Sequence, residues 1–220
     1  MELNLNGYIR KGMQQKDNIE LLSVATGNDT GSCVVKGTTV LVKGGNEKPI
    51  EDINVFSPTQ DGDTLLNIHG SEVYPVALIS GPVSKFPIVS LKIKTETKSY
   101  EIKVSIWHSL LKNHFSLTPA FMFVKGDSIM TSTGVGIVTS VHYEEYKGDL
   151  WNVFLASKSF INNLKNINDE MMYSFLKNSL LGLQPKEHLI MCNGIVSGSY
   201  MIQKQVAEHY SQGININKFI

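Results

Sequence analysis

Cysteine is nearly missing from this chain, with two in 220 residues, Cys33 and Cys192. Two thiols cannot build the multi-bridge framework of a small secreted scaffold. They point to a reducing compartment or to a catalytic thiol. An excess of charge of either sign is absent too. Lysine plus arginine and aspartate plus glutamate balance at 20 each, so no long-range field draws the chain to nucleic acid or to an anionic membrane surface. No apolar run is long enough to span a bilayer, and Met1-Glu2-Leu3-Asn4 lacks the basic-then-apolar order of a secretion signal. The expected location is cytoplasmic or within an assembly. The six histidines and two cysteines show no paired ligand spacing, so no metal and no other cofactor is expected.

The 220 residues are enough for one substantial core, or one domain with an appendage. Residues 1–32 read differently from the rest. They are Asn- and Gln-rich, carry one weak amphipathic patch at Ile19-Glu20-Leu21-Leu22-Ser23-Val24, and end in the turn-rich Thr26-Gly27-Asn28-Asp29-Thr30-Gly31-Ser32. They are either an ordinary arm or a leader whose last peptide bond is reactive. From residue 33 to about 155 the pattern is β-rich, with Val/Ile/Leu runs at 40–42, 73–79, 88–94, 135–141 and 150–155. Tyr100-Glu101-Ile102-Lys103-Val104 alternates apolar with charged, as a half-buried strand should. Pro75 makes its run an edge strand or one that starts late. Turn signals at Gly44-Gly45-Asn46, Asp61-Gly62-Asp63, Gly81-Pro82 and Ser132-Thr133-Gly134 punctuate the strands. Many short strands with little helix between them predict an all-β sandwich or barrel-like fold.

The period then changes. Met171, Met172, Phe175, Leu176, Leu180 and Leu181 fall at helical spacing. This predicts one inserted helix of about four turns, with Asn168 or Asp169 as N-cap and Gly182 as C-cap. Its apolar side reads as core or as a docking face. A strand is expected over 189–196, then a terminal helix from Tyr200 to near Gly213 and a short tail.

Five short segments follow one another through this β background. Cys33 opens a glycine turn and a Thr/Val strand, Val34-Val35-Lys36-Gly37-Thr38-Thr39-Val40-Leu41-Val42. Lys48-Pro49-Ile50-Glu51-Asp52-Ile53 comes next, then Ser105-Ile106-Trp107-His108, then Gly126-Asp127. His188-Leu189-Ile190-Met191-Cys192-Asn193-Gly194-Ile195 closes the series. In this order, over roughly residues 33–200, they resemble the Hint module, the self-processing domain shared by inteins and the C-terminal part of Hedgehog proteins. The resemblance implies a compact, horseshoe-shaped β-fold at 33–200 with the first and last strands together and a helical insertion at about 160–183. Residues 1–32 would be the leader, and 201–220 a C-terminal helix and tail.

The chemistry that such a module performs sets its own requirements. A cysteine attacking the carbonyl carbon of the residue before it exchanges an amide for a thioester, an N-to-S acyl shift. The thiolate is a strong nucleophile near neutral pH, and the departing nitrogen needs a proton. Histidine titrates in the right range to deliver one. The resemblance implies that Ser32-Cys33 is the scissile bond, with the chain's own leader as substrate, and that His108 protonates the leaving nitrogen. Ser105 stands where the family's Thr-x-x-His motif has threonine, and would support His108 by hydrogen bonding; it keeps the hydroxyl and loses the χ1 stiffness. Taken alone, His108 reads equally as a strand-end histidine bonded for structural reasons. His188 aligns with a family histidine on the closing strand and would support the site from behind. Gly126-Asp127 is read as turn chemistry, and Thr38 and Thr39 as β-formers near the reactive strand. Cys192 is a small buried hydrophobe or, lying near Cys33, its redox partner.

An intein ends in His-Asn followed by a nucleophile, and cyclisation of that asparagine cuts the second junction. Here Asn193-Gly194-Ile195-Val196 runs into Ser197-Gly198-Ser199-Tyr200 without such a pair, which is closer to the Hedgehog-type ending. Cleavage without splicing is the expectation. The alternative is a catalytically silent Hint-like structural or adaptor subunit with protein partners, for example in a virion or a secretion machine. A hydrolase acting in trans is disfavoured, because no motif places a carboxylate or amide to orient His108.

Overall fold

A computed structural model describes residues 8–9, 33–81, 86–113, 116–178 and 181–211. Ser32, the leader apart from residues 8–9, and the tail after Ser211 lie outside the described residues. The strands begin with β1 (Tyr8–Ile9), β2 (Val34–Val35), β3 (Thr39–Leu41), β4 (Glu47–Pro49) and β5 (Leu65–Leu66). Longer ones follow: β6 (Glu72–Gly81), β7 (Phe86–Lys94) and β8 (Ser99–Ser105). Next are β9 (Ser109–Lys112), β10 (Ser116–Pro119), β11 (Ser128–Thr131), β12 (Gly134–Tyr146) and β13 (Leu150–Ala156). Two helices, α1 (Lys158–Asn163) and α2 (Asp169–Asn178), precede a hairpin of β14 (Leu189–Cys192) and β15 (Ile195–Gly198), and α3 (Tyr200–Ser211) follows. The all-β expectation holds, and among the described residues the α-helices fall in the C-terminal third.

Strand order explains why the sheet curls. From β2 the hydrogen-bonded path runs through β8, β7, β12, β11 and the β15/β14 hairpin to β3. Laid flat, those seven inter-strand steps would cover roughly 33 Å. Yet β2 and β3 are joined by only Lys36, Gly37 and Thr38, a link that reaches about 14 Å when fully extended. The sheet must close back on itself, which carries the closing hairpin to the start of the module: Cys192 pairs with Val40 across β14 and β3. Gly37, at φ +85°, makes the turn between β2 and β3.

The apolar runs fill two faces. On β8, Tyr100, Ile102 and Val104 point inward while Glu101 and Lys103 point out, the period-2 pattern of a strand with one wet face. All seven residues of β13 are buried. Trp151, Val153 and Leu155 enter the main core, and Phe154 and Ala156 enter a second cluster with Val76, Ala77 and Ile79 of β6. Leu164, Met172, Leu181, Tyr200 and Met201 cover that second cluster. The inserted helices are therefore core-forming: they bury the outer face of β6 and β13.

Several expectations change. The insertion is two helices and a 3-10 turn (Leu164–Asn166), not one helix of four turns. Asn168 does cap α2, its Oδ1 accepting from the Met171 N–H at 2.8 Å. The strand expected at 189–196 is a hairpin, because Asn193 (φ 49°) and Gly194 (φ 73°) adopt the left-handed pair that a two-residue turn requires. Pro75 is neither at an edge nor ahead of its strand. It lies three residues into β6 beside a bulge, where Phe154 faces Ala77 and Leu155 faces Pro75, so the missing N–H falls where the ladder is already interrupted.

Candidate functional site

Cys33 is held by two backbone-directed hydrogen bonds to one residue. Its N–H donates to Ser105 Oγ at 2.8 Å, and its carbonyl accepts from the Ser105 N–H at 2.8 Å. Val34 pairs with Val104 one step along. Both Cys33 and Ser105 are buried. The nitrogen held by Ser105 belongs to the Ser32-Cys33 peptide bond, so that amide plane has a fixed orientation on the Cys33 side.

The same serine starts the turn that carries His108. The Ser105 carbonyl accepts from the His108 N–H at 3.0 Å, closing a four-residue turn between β8 and β9. Ile106 and Trp107 drive it into the core, where Trp107 stacks edge-on against Phe121 with ring centroids 4.9 Å apart. The 3-10 turn Ala120–Met122 braces it through two backbone bonds, Ala120 N–H to the His108 carbonyl and Phe121 N–H to the Ile106 carbonyl. Ser105 thus links Cys33 to the buried turn that carries His108. His108 was expected in a strand-like setting; it lies in the turn itself.

The His108 ring reaches the other end of the chain. Its Nε2 lies 2.5 Å from Ser197 Oγ and 3.3 Å from Gln203 Nε2. Ser197 is the penultimate residue of β15, and Gln203 stands in the first turn of α3. Gln203 is itself engaged by the Ser109 N–H, which donates to Oε1 at 3.3 Å, and by the Gly198 carbonyl, which accepts from Nε2. His108, Ser109, Ser197 and Gln203 are each buried. Neither Ser197 nor Gln203 was legible as a site residue. The one available signal was a glutamine directly after the apolar triplet Tyr200-Met201-Ile202 of a terminal helix.

His188 lies elsewhere than expected. It ends the 3-10 turn Pro185–His188 just before β14, not on the closing strand. Its Nδ1 lies 2.7 Å from Ser199 Oγ, and its carbonyl accepts from the Ser199 N–H at 2.8 Å. That double tie pins the start of the hairpin to its end, two residues beyond the serine that meets His108. Cys192 sits in the main core, whereas Cys33 sits in a separate cluster with Ile88 and Leu150. Neither Cys33 nor Cys192 is in a disulfide. Burial pushes the Cys192 thiol up to about 12, against a hydrogen bond from Ser197 that pulls the other way. Thr39 and Asn193 belong to the frame: Asn193 Oδ1 accepts from the Thr39 N–H at 2.8 Å. Gly126-Asp127 turns into β11, the Asp127 carboxylate accepting from the Val124 N–H at 3.0 Å. Among the described residues no group of three or more His, Cys, Asp or Glu side chains could hold a metal ion, and no helix is long and apolar enough to cross a membrane.

No protein-family model and no curated protein matches the chain. Solved structures do. An intein-like domain from Clostridium thermocellum superposes with a TM-score of 0.51 at 16% identity, over 76% of this chain and 99% of that one. The gp41-1 intein gives 0.49 at 14% identity, over 76% and 98%. A DnaB intein from Synechocystis sp. PCC 6803 gives 0.47 at 10%, over 76% and 97%. At these identities the likeness concerns fold alone. The chain has the Hint fold of intein-like domains.

Proposed function

We propose that this chain is an autoprocessing domain that breaks its own Ser32-Cys33 bond by an N-to-S acyl shift and does not splice. The observation that carries the reading is the pair of hydrogen bonds between Cys33 and Ser105, on the turn that bears His108. In the reaction Cys33 Sγ bonds to the Ser32 carbonyl carbon and the carbon–nitrogen bond breaks. The leaving nitrogen takes a proton from His108, and the ring takes up the thiol proton in exchange, so His108 ends in its starting protonation state. An amide becomes a thioester and an amine, with no outside reactant. Water or an added thiol then cleaves the thioester and frees residues 1–32. Ser105 keeps the departing nitrogen in place during the step, which is the positional help an unreactive amide needs. The placement of Asn193 supports cleavage without splicing: it sits in a hairpin turn with its side chain bonded to Thr39, and the chain runs on from it through β15 to Ser199.

One observation favours a second reading, a silent structural or adaptor subunit. The Cys33 side chain packs with Ile88 and Leu150 and is 4% exposed, which shields it from an outside acceptor. Intact-mass measurement of freshly purified chain, with and without dithiothreitol, separates the two. Autoprocessing predicts fragments divided between Ser32 and Cys33, increased by the thiol and absent from Cys33→Ala. A single full-length mass in every sample supports the silent subunit.

A further inference from the structure

The amide of Gln203 has only one orientation available. Ser109 offers it a backbone N–H at 3.3 Å, and Gly198 offers it a carbonyl. A backbone N–H only donates and a carbonyl only accepts. Turning the amide over would set donor against donor at Ser109 and acceptor against acceptor at Gly198. Oε1 therefore faces Ser109, and Nε2 faces both Gly198 and the His108 ring. The approach is built into the backbone as well. A Cβ at Gly198 would come within 2.7 Å of Ile202 Cγ2 and 3.1 Å of Gln203 Cγ, so a glycine there lets the first turn of α3 close on β15. The Gln203 N–H also donates to the Ser199 carbonyl at 3.0 Å, fixing the residue within that turn.

Gln203 thus presents an N–H to His108 Nε2 across 3.3 Å, and the Ser197 hydroxyl lies 2.5 Å from the same nitrogen. A ring nitrogen that faces an amide N–H must accept, and a neutral imidazole carries its single proton on the other nitrogen. We propose that Gln203 is a positioning residue for His108, holding the ring in the neutral tautomer protonated at Nδ1. Under the autoprocessing reading, on which this consequence rests, Nδ1 gives its proton to the leaving nitrogen of Cys33 while Nε2 takes up the proton that the thiol releases, so the ring stays neutral. The module is incomplete without α3, which lies beyond the residue-200 boundary that the sequence suggested. An amide that orients His108 does exist; no motif marked it, because it arrives from a helix 95 residues away.

The test reads the ring directly. Full-length chain carrying Cys33→Ala is labelled with 15N-histidine, and the His108 nitrogens are assigned as the signals lost in His108→Ala. Long-range 1H–15N spectra distinguish a protonated from an unprotonated ring nitrogen. The expected result is a protonated Nδ1 and a bare Nε2, with Gln203→Met raising the Nε2-protonated population and Gln203→Glu moving the proton to Nε2. A proton on Nε2 in the Gln203 chain, or ring signals unchanged in both variants, overturns the proposal. Because these chains cannot form the thioester, the result does not depend on whether Ser32-Cys33 breaks. In chains that retain Cys33, Gln203→Met is expected to slow cleavage about tenfold or more, within the roughly 10²–10⁴-fold that a general acid supplies.

Discussion

His108 and His188 form a natural pair for comparison. Both are fully buried, and each meets a serine at the junction of β15 and α3, Ser197 for one and Ser199 for the other. Their surroundings differ in one respect. His188 is tied to Ser199 through its ring and its own carbonyl, and both bonds hold the hairpin together. The His108 turn is closed onto Ser105, and Ser105 holds both the nitrogen and the carbonyl of Cys33. A buried histidine bonded to a serine is thus not informative by itself; what its turn is attached to is what distinguishes the two in the proposed reaction.

The largest effect that would sharpen this contrast is on His108. His108→Ala is expected to reduce cleavage by about 10²–10⁴-fold, read as the rate of fragment appearance by intact mass, while far-UV circular dichroism stays that of a β protein. His188→Ala should show the opposite profile. It leaves Ser199 Oγ without its partner and is expected to lower stability by about 1–3 kcal/mol in a urea melt, with the cleavage rate changed less than about threefold. A His188 variant that folds as well as its parent yet fails to cleave would break the comparison. Ser105→Ala sits between them. It removes the acceptor of the buried Cys33 N–H, so it should cost about 1–3 kcal/mol of stability and also slow cleavage. Ser105→Thr, which restores a hydroxyl, should recover both.

The smallest effect concerns the other thiol. Folding raises the Cys192 pKa from 9.0 to about 12, so between those values the folded chain binds a proton that the unfolded chain has released. The stability linked to this group is fully present below pH 9 and falls as pH rises toward 12. The slope is at most about 1.4 kcal/mol per pH unit. Cys192→Ala should flatten the alkaline limb of the stability profile and leave cleavage near neutral pH intact. Urea midpoints from pH 8.5 to 10.5, taken at roughly half-unit steps across the window that linkage defines, read this out.

Much of the fold was legible because the long strands announce themselves. The Tyr100-to-Val104 alternation and the apolar run of β13 each reflect how many faces of the strand are covered. What escaped is short or tertiary in origin. β4 and β5, three and two residues long, carry no period to detect. The Asn193-Gly194 dipeptide is a turn signal, yet the apolar residues on both sides read as one strand across it. At the candidate site, Cys33, Ser105 and His108 lie in segments whose order resembles a known module, so the sequence points to them. Gln203 belongs to no such segment. Its helix reads as an apolar face closing a core, and only the curl of the sheet, which brings β15 beside β9, puts its amide against the His108 ring.

The account stands on one bond. Full-length chain incubated with hydroxylamine, digested and sequenced by tandem mass spectrometry, shows where an activated acyl group forms. A hydroxamate on the Ser32 carboxyl, accompanied by a free amino group on Cys33, is the predicted result. Recovery of the peptide spanning Ser32 and Cys33 intact from wild type and Cys33→Ala alike would contradict it.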